Sequence, residues 1–147
     1  MGEFQLSRAI GGLVTKTNWY FKTYFNKLIH EQGYAITVEQ WTLLLIIRQN
    51  PAKTQTEIAQ IGLKDKTNVT RILDILQKNN YIERRADASD RRKYRIHLTH
   101  AGDKIMRALF PIAEQVNIRA TAGLNQNECS KLRQLLQIII NNLKALI

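Results

Sequence analysis

Apolar residues recur at spacings of three, four and seven along several stretches of the chain, and this periodicity predicts amphipathic helices. The first stretch runs from about Ser7 to Gln32, with Gly33 as a C-terminal stop. The last follows Asn125 and carries a continuous stripe of leucine and isoleucine. Only two prolines, Pro51 and Pro111, occur in the sequence, so we expect a mainly helical chain.

Polar residues in the middle of the chain mark where helices begin. Thr37–Gln40 and Thr54–Glu57 have the spacing of a capping box, in which two side chains bond reciprocally to backbone N–H groups. Asp65 is the predicted cap of the next helix. Because Gly62–Leu63 separates two short helical patterns, the segment predicts a helix-turn-helix.

The helix that follows Asp65 has two faces of different chemistry. Its apolar face holds Val69, Ile72, Leu73 and Leu76. The opposite face holds Thr67, Arg71, Asp74 and Lys78, flanked by Asn68 and Thr70. A DNA recognition helix presents hydrogen-bonding side chains near its N-terminus, where asparagine suits adenine and arginine suits guanine. The alternative for this face alone is an ordinary solvated helix surface.

A strand-like run over Tyr81–Arg85, a polar tip over Asp87–Arg92 and an alternating run over Lys93–Leu98 predict a β-hairpin. Together with the preceding helices, this is the pattern of a winged helix-turn-helix. The predicted tip exposes Arg91 and Arg92, and a guanidinium on a thin loop can enter the minor groove of DNA.

Other charged residues of the hairpin have predicted supporting roles. Asp90 lies two residues before Arg92 and can hold that side chain through a charge-assisted hydrogen bond. Lys93 and Arg95 are expected to contact phosphates, which adds affinity without sequence information. The alternative is a solvated hairpin with a chance cluster of charge.

The net charge of +10 favours a polyanionic partner, either nucleic acid or an acidic membrane surface. Residues 64–95 contain ten basic and five acidic residues, so this fifth of the chain carries half of the excess charge. A diffuse basic surface is the alternative. Because the charge is concentrated beside the helix-turn-helix pattern, double-stranded DNA is the predicted partner.

The sequence argues against an enzyme. It has no Gly-rich phosphate loop, nucleophile elbow or metal-ligand cluster, so no cofactor and no metal are expected. Cys129 is the single cysteine and is interpreted as an inert thiol. The sequence shows no leader pattern and no apolar run of membrane-spanning length, which predicts a cytoplasmic protein without a membrane partner.

The stretch from Thr37 to Gly102 resembles the MarR family of bacterial and archaeal transcription regulators. The motifs that carry the resemblance are Thr37–Trp41, Thr56–Ala59, Lys66–Arg71, Asp87–Arg92 and Leu98–Gly102. The resemblance implies a homodimer joined through N- and C-terminal helices and a palindromic operator, usually bound as a repressor. In many members it also implies release by a small phenolic or lipophilic ligand.

The predicted fold is mainly α with a small β-wing, arranged as a single domain over residues 1–147. Residues 37–99 form the winged helix-turn-helix, and residues 1–33 and 101–147 form long dimerisation helices. Pro111 is expected to kink or break the helix that follows Thr99. The first and last helices carry more apolar surface than one small domain buries, which favours a dimer independently of the resemblance. The alternative is that this surface packs within the monomer.

Two sets of site residues follow from these arguments. The predicted DNA-binding residues are Thr67, Asn68, Thr70, Arg71, Lys78, Asp90, Arg91, Arg92 and Lys93. The aromatic residues predicted to line an effector pocket are Trp19, Tyr20, Tyr24 and Trp41, with an ordinary core position as the alternative for each. The competing function is nonspecific architectural DNA binding or a winged-helix protein-interaction module.

Overall fold

The structure is a computed structural model that describes residues 8–62 and 65–147. Its elements in chain order are α1 (Ile10–Glu31), α2 (Val38–Gln49), β1 (Lys53–Thr54), α3 (Gln55–Ile61), α4 (Lys66–Lys78), β2 (Ile82–Ala86), β3 (Tyr94–Leu98), α5 (His100–Ala108), α6 (Phe110–Ala120) and α7 (Gln126–Lys144). The chain divides into two compact units, the first ending at Ala113 and the second running from Glu114 to Ile147. The mainly helical fold with a small β-wing is the one that the sequence predicts.

Capping residues define the starts of α2, α3, α4 and α7, as predicted. Thr37, Thr54 and Asn125 each form a complete capping box with the residue three positions later. The carboxylate of Asp65 accepts a 2.8 Å hydrogen bond from the backbone N–H of Asn68 and so caps α4. The predicted start of the first helix at Ser7 lies outside the described residues.

The predicted interruption near Pro111 is present. Helix α5 ends at Ala108, and α6 begins at Phe110, one residue before the proline. Pro111 therefore occupies the first turn of α6, where its missing N–H removes no intrahelical hydrogen bond. The helical pattern that follows Thr99 thus forms two helices, α5 and α6, one on either side of Leu109.

The wing is part of a three-stranded antiparallel sheet with strand order β1-β3-β2. Strands β2 and β3 pair from Ile82 opposite Leu98 to Ala86 opposite Tyr94. Strand β1, which the sequence analysis did not predict, pairs Lys53 with Ile96 on the other side of β3. Two residues are too few for a period-2 pattern, so no local signal identifies this strand.

The core of the first unit lies where α2, α3, α4 and the sheet meet. Among its fully buried side chains are Leu43, Leu44, Ile58, Leu73 and Ile96. All four apolar residues predicted on the inner face of α4 are buried.

Gly102 of α5 allows a close helix-to-loop approach. A Cβ at this position would overlap the carbonyl oxygen of Tyr81 and lie 2.8 Å from Cδ1 of Leu98. That carbonyl also accepts a 3.1 Å hydrogen bond from the backbone N–H of Thr99, next to the start of α5. A glycine is therefore required where α5 leaves the sheet.

Helices α1 and α7 leave more large apolar side chains exposed than the other described helices do. The buried residues of α1, Phe25, Leu28 and Ile29, are all in its C-terminal half, whereas Ile10 and Leu13 are exposed. Helix α7 buries none of its residues. Among the described helices, none combines the length and the apolar character needed to cross a lipid bilayer.

Candidate nucleic-acid interface

The outer face of α4 is polar and accessible, as its sequence pattern predicts. Thr67, Arg71 and Lys78 are exposed, and Asn68 is half-buried. The Nη2 of Arg71 donates a 3.1 Å hydrogen bond to Oδ1 of Asn68, so these two side chains lie together one turn from the start of the helix. The structure therefore places an amide and a guanidinium, the two groups suited to reading purines, side by side.

Thr70 is more constrained than its sequence position indicates. Its hydroxyl donates a 2.8 Å hydrogen bond to the carbonyl oxygen of Lys66 and accepts one from the side-chain amide of Gln55. Gln55 is the first residue of α3, so this contact joins the two helices of the helix-turn-helix. In this conformation, the Thr70 hydroxyl proton is already used inside the protein.

Arg84 of β2 also contacts α4, and the sequence analysis did not identify it. Its Nη2 lies 2.7 Å from Oδ1 of Asp74, and its Nη1 donates to the side-chain oxygen of Gln77. The positive charge of Arg84 offsets the negative charge of Asp74 on the outer face of α4. Without this ion pair, the Asp74 carboxylate would repel a DNA phosphate at that face. Strand alternation could have indicated this position, because Arg84 shares a face with the buried Ile82.

The wing tip presents its basic side chains to solvent. The Arg92 side chain is 92% exposed, and its Nε donates a 3.3 Å hydrogen bond to Oδ1 of Asp90. The backbone N–H of Arg92 donates to the same oxygen at 3.1 Å. The contact between Asp90 and Arg92 that the spacing predicts is therefore present. Arg91 and Lys93 are exposed beside it.

A groove of about 590 Å³ lies between the start of α3 and the wing. Its basic lining residues are Arg84, Arg92, Lys93 and Arg95, and Thr54, Gln55 and Tyr94 are among the others. Guanidinium, ammonium, amide and hydroxyl groups are all phosphate ligands in protein–DNA complexes. The groove is thus chemically suited to a nucleic-acid backbone.

A second, polar pocket of about 370 Å³ lies where α1, the start of α2 and α4 meet. Lys22 of α1 and Glu39 of α2 form an ion pair across it at 2.9 Å. Burial opposes ionisation of Glu39, but hydrogen bonds from Lys22, the backbone and Thr37, together with the charge of Lys22, outweigh it, so the pKa of this carboxyl is lowered. Asn68 and Arg71 line the same pocket, which links α1 to the outer face of α4.

Comparison with known proteins agrees with this geometry. The family model described as "MarR family" matches residues 36–94. The uncharacterized HTH-type transcriptional regulator YkoM of Bacillus subtilis (strain 168) is 33% identical over 107 residues, which cover 73% of this chain and 68% of YkoM. This chain belongs to the MarR family.

Two other similar proteins extend the comparison. The transcriptional repressor MprA of Escherichia coli (strain K12) is 28% identical over 118 residues, 80% of this chain and 67% of MprA. A solved structure of Bordetella bronchiseptica BpsR has a TM-score of 0.84 at 23% identity, covering 94% of this chain and 97% of that chain. The resemblance that the sequence motifs indicate is confirmed, and this MarR-family transcriptional regulator is not an enzyme.

Trp41 has different surroundings from Trp19 and Tyr20, although all three are predicted to line an effector pocket. The ring of Trp41 packs 5.1 Å from that of Phe25, and its Nε1 donates a 2.9 Å hydrogen bond to the carbonyl oxygen of Met106. Trp19 and Tyr20 are instead exposed on α1, in edge-to-face contact at 4.9 Å. Trp41 is half-buried, and the effector pocket stays a prediction for all four aromatic residues of this MarR-family protein.

Other reactive groups add nothing to the site. Within residues 8–62 and 65–147, no group of three or more His, Cys, Asp or Glu side chains is placed to hold a metal ion. Cys129 lies half-buried in the first turn of α7.

Proposed function

We propose that this MarR-family regulator binds a palindromic DNA operator as a homodimer and acts as a repressor. The observation that carries the proposal is the pairing of two exposed basic elements in one unit: the face of α4 with Asn68 and Arg71, and the wing tip with Arg92. Helix α4 has 13 residues and is about 20 Å long, and an α-helix fits the width of the major groove. The wing then meets the adjacent minor groove.

The apolar surfaces of α1 and α7 support the homodimer. Side chains such as Leu13 and Leu143 are about half exposed to water, which is unfavourable unless a partner covers them. A two-fold dimer would present two copies of α4 about one DNA turn apart, roughly 34 Å. A palindromic site follows from that symmetry. The name of MprA, a transcriptional repressor, supports the sign of regulation.

We also propose that a small phenolic or lipophilic effector releases the DNA. The BpsR structure comes from work on regulation of that protein's DNA binding by 6-hydroxynicotinic acid. In this chain, the exposed Trp19–Tyr20 pair, with Tyr24 one turn further along α1, supplies an aromatic surface for such a ligand. Titration with salicylate and 6-hydroxynicotinate should change tryptophan fluorescence and weaken operator binding. If millimolar ligand causes neither a fluorescence change nor weaker operator binding, this part of the proposal is contradicted.

Selection of bound duplexes from a random DNA pool at physiological salt tests the main proposal. We expect enrichment of an inverted repeat whose half-sites are about one helical turn apart. Uniform binding that falls steeply with salt would instead favour nonspecific architectural binding.

The Arg71→Ala variant sharpens the test. Because we propose that Arg71 reads a base, the variant should have a weaker preference at one position of each half-site. Arg119→Ala is the matched control, since this exposed arginine of α6 is not one of the proposed DNA-binding residues.

A further inference from the structure

Asp87, the first residue of the wing tip, stands out by its burial. It is 5% exposed and is the one buried polar or charged residue in the described part of the chain. It directly follows β2, which ends at Ala86. A carboxylate that leaves water loses its hydration, so its burial is tolerated only where the protein supplies hydrogen bonds in return.

The two oxygens of Asp87 bind two different parts of the wing. Oδ1 accepts hydrogen bonds from the backbone N–H of Ser89 at 2.7 Å, the Ser89 hydroxyl at 2.6 Å and the backbone N–H of Asp90 at 3.1 Å. Oδ2 accepts from Nε of Arg95 on β3. The Ser89 hydroxyl, the Ser89 amide and Arg95 together hold the pKa of Asp87 well below its usual range, so the group is charged at neutral pH.

Arg95 extends this connection to the base of the wing. Its Nη1 donates a 2.8 Å hydrogen bond to the carbonyl oxygen of Ala52, which precedes β1. Ala52 has a φ of +58°, a left-handed conformation that turns the chain from α2 into the sheet. Through Arg95, Asp87 therefore bonds the tip of the wing to the loop between α2 and β1.

Hydrogen bonds also connect Asp87 to Arg92, through Asp90. Asp87 fixes the backbone of Asp90, and the Asp90 carboxylate in turn accepts hydrogen bonds from the backbone N–H and Nε of Arg92. The backbone also closes the loop, because the N–H of Asp87 donates to the carbonyl of Lys93 at 2.9 Å. The carboxylates of Asp87 and Asp90 thus connect a buried site to the 92% exposed side chain of Arg92.

We propose that Asp87 is a positioning residue for DNA binding, which holds the wing tip in the shape that presents Arg92 to the minor groove. The inference rests on the proposed DNA-binding function. Removal of an acidic group from a DNA-binding surface ordinarily strengthens binding through the phosphate backbone. Removal of Asp87 weakens it, because the free tip loses the arrangement that Arg92 needs.

The experiment compares the Asp87→Asn and Glu83→Gln variants on the duplex selected with the wild-type protein. Both substitutions remove one negative charge from the hairpin, but the Glu83 side chain on β2 is 44% exposed and pairs with Arg85. We expect Glu83→Gln to bind as tightly as the wild type or more tightly. Asp87→Asn should bind about fivefold or more weakly, on the scale of a lost arginine contact. Binding by Asp87→Asn equal to or tighter than wild type would overturn the proposal.

A double-mutant cycle separates positioning from general loss of structure. If Asp87 acts through Arg92, Asp87→Asn should cost less than about twofold once Arg92→Ala is in place. In an Arg71→Ala background, the same substitution should keep its full effect. Additive losses with both arginines would show that Asp87 does not act through Arg92 and would overturn the proposal.

Amide hydrogen exchange in the free protein gives a readout that needs no DNA. We expect faster exchange at Ser89 and Asp90 in Asp87→Asn and unchanged exchange in α4. If this variant does not fold, Ser89→Ala takes its place, since it removes one donor to Asp87 and leaves the buried carboxylate its other partners. Faster exchange at Asp90 with weaker binding then supports the proposal, and unchanged binding overturns it. A wild-type protein without sequence preference would instead contradict the proposed function itself.

Discussion

Helices α4 and α7 are both amphipathic, yet α4 buries every residue of its apolar stripe and α7 buries none. Leu73 of α4 is fully buried, whereas Leu135 and Leu143 of α7 are 46% and 58% exposed. The same periodicity therefore identifies a face that needs a partner without identifying the partner. For α4 the partner is the rest of its own unit. For α7 we infer a second copy of the chain.

The largest effect should come from charging the α7 stripe. Leu135→Glu combined with Leu143→Glu should raise the dimer dissociation constant about 100-fold or more, because four carboxylates would enter one apolar interface. Analytical ultracentrifugation should show a monomer at micromolar concentration, with operator binding lost. Gln134→Glu is the control, because Gln134 lies on the same helix outside the stripe. A double variant that stays dimeric would contradict the assigned role of α7.

The comparison becomes sharper when one leucine is shortened on each helix. Leu73→Ala should lower the free energy of unfolding by about 3 kcal/mol, since it leaves a cavity in a packed core. Leu132→Ala, made in the dimer-breaking background, should change it by less than about 0.5 kcal/mol, because Leu132 of α7 is 43% exposed. Urea unfolding followed by circular dichroism measures both. Equal costs would mean that α7 is packed within the monomer.

A smaller effect is expected from removal of the exposed arginine at the wing tip, Arg92. Arg92→Ala should weaken operator binding about tenfold, the loss typical of one arginine contact, while the unfolding temperature stays the same. Fluorescence anisotropy with a labelled duplex measures the affinity, and Arg119→Ala is again the control. Unchanged affinity in a folded Arg92→Ala protein would remove the wing from the interface.

The smallest effect is expected at the N-terminal cap of α3, where Glu57 contributes to the stability of the protein. The backbone N–H and hydroxyl of Thr54, with Lys53, lower the pKa of Glu57 from 4.5 to about 2. A carboxyl with a lowered pKa in the folded state stabilises the protein above pH 4.5 and loses that contribution as the pH falls towards 2.

Glu57→Gln should therefore show a flatter fall of the unfolding temperature over that pH range than the wild type. The glutamine can still complete the capping box, so the two proteins should differ little at neutral pH. Glu114→Gln, at an exposed position of α6, controls for the loss of one acidic group. Parallel curves for wild type and Glu57→Gln would show that the cap does not contribute to acid stability.

Features set by local interactions were predictable from the sequence. Thr37, Thr54, Asp65 and Asn125 cap helices through residues three positions away, so their roles can be read from spacing alone. The break at Pro111 and the inner face of α4 are local in the same sense. The Asp90–Arg92 contact was also predictable, because it spans two residues of one loop.

Features that depend on distant partners were not predictable. Strand β1 exists only because Lys53 meets Ile96, which is more than 40 residues away. Asp87 has the sequence pattern of an ordinary charged residue of the hairpin, and only the fold reveals its contact with Arg95. Strand alternation indicates the face on which Arg84 lies but not its contact with Asp74. The four residues predicted to line the effector pocket are all aromatic, but the sequence does not show their surroundings. In the fold, Trp41 packs against Phe25 and donates a hydrogen bond to the carbonyl oxygen of Met106.

The contrasting environments of the two tryptophans have an experimental consequence. Trp41 is hydrogen-bonded to α5 and packed against Phe25, whereas Trp19 is 59% exposed on the unpartnered half of α1. Emission from Trp41 should shift to longer wavelength when the winged region unfolds, and emission from Trp19 should shift to shorter wavelength when another surface covers α1. Trp19→Phe and Trp41→Phe each leave a single fluorophore, so unfolding and self-association can be followed optically as separate events.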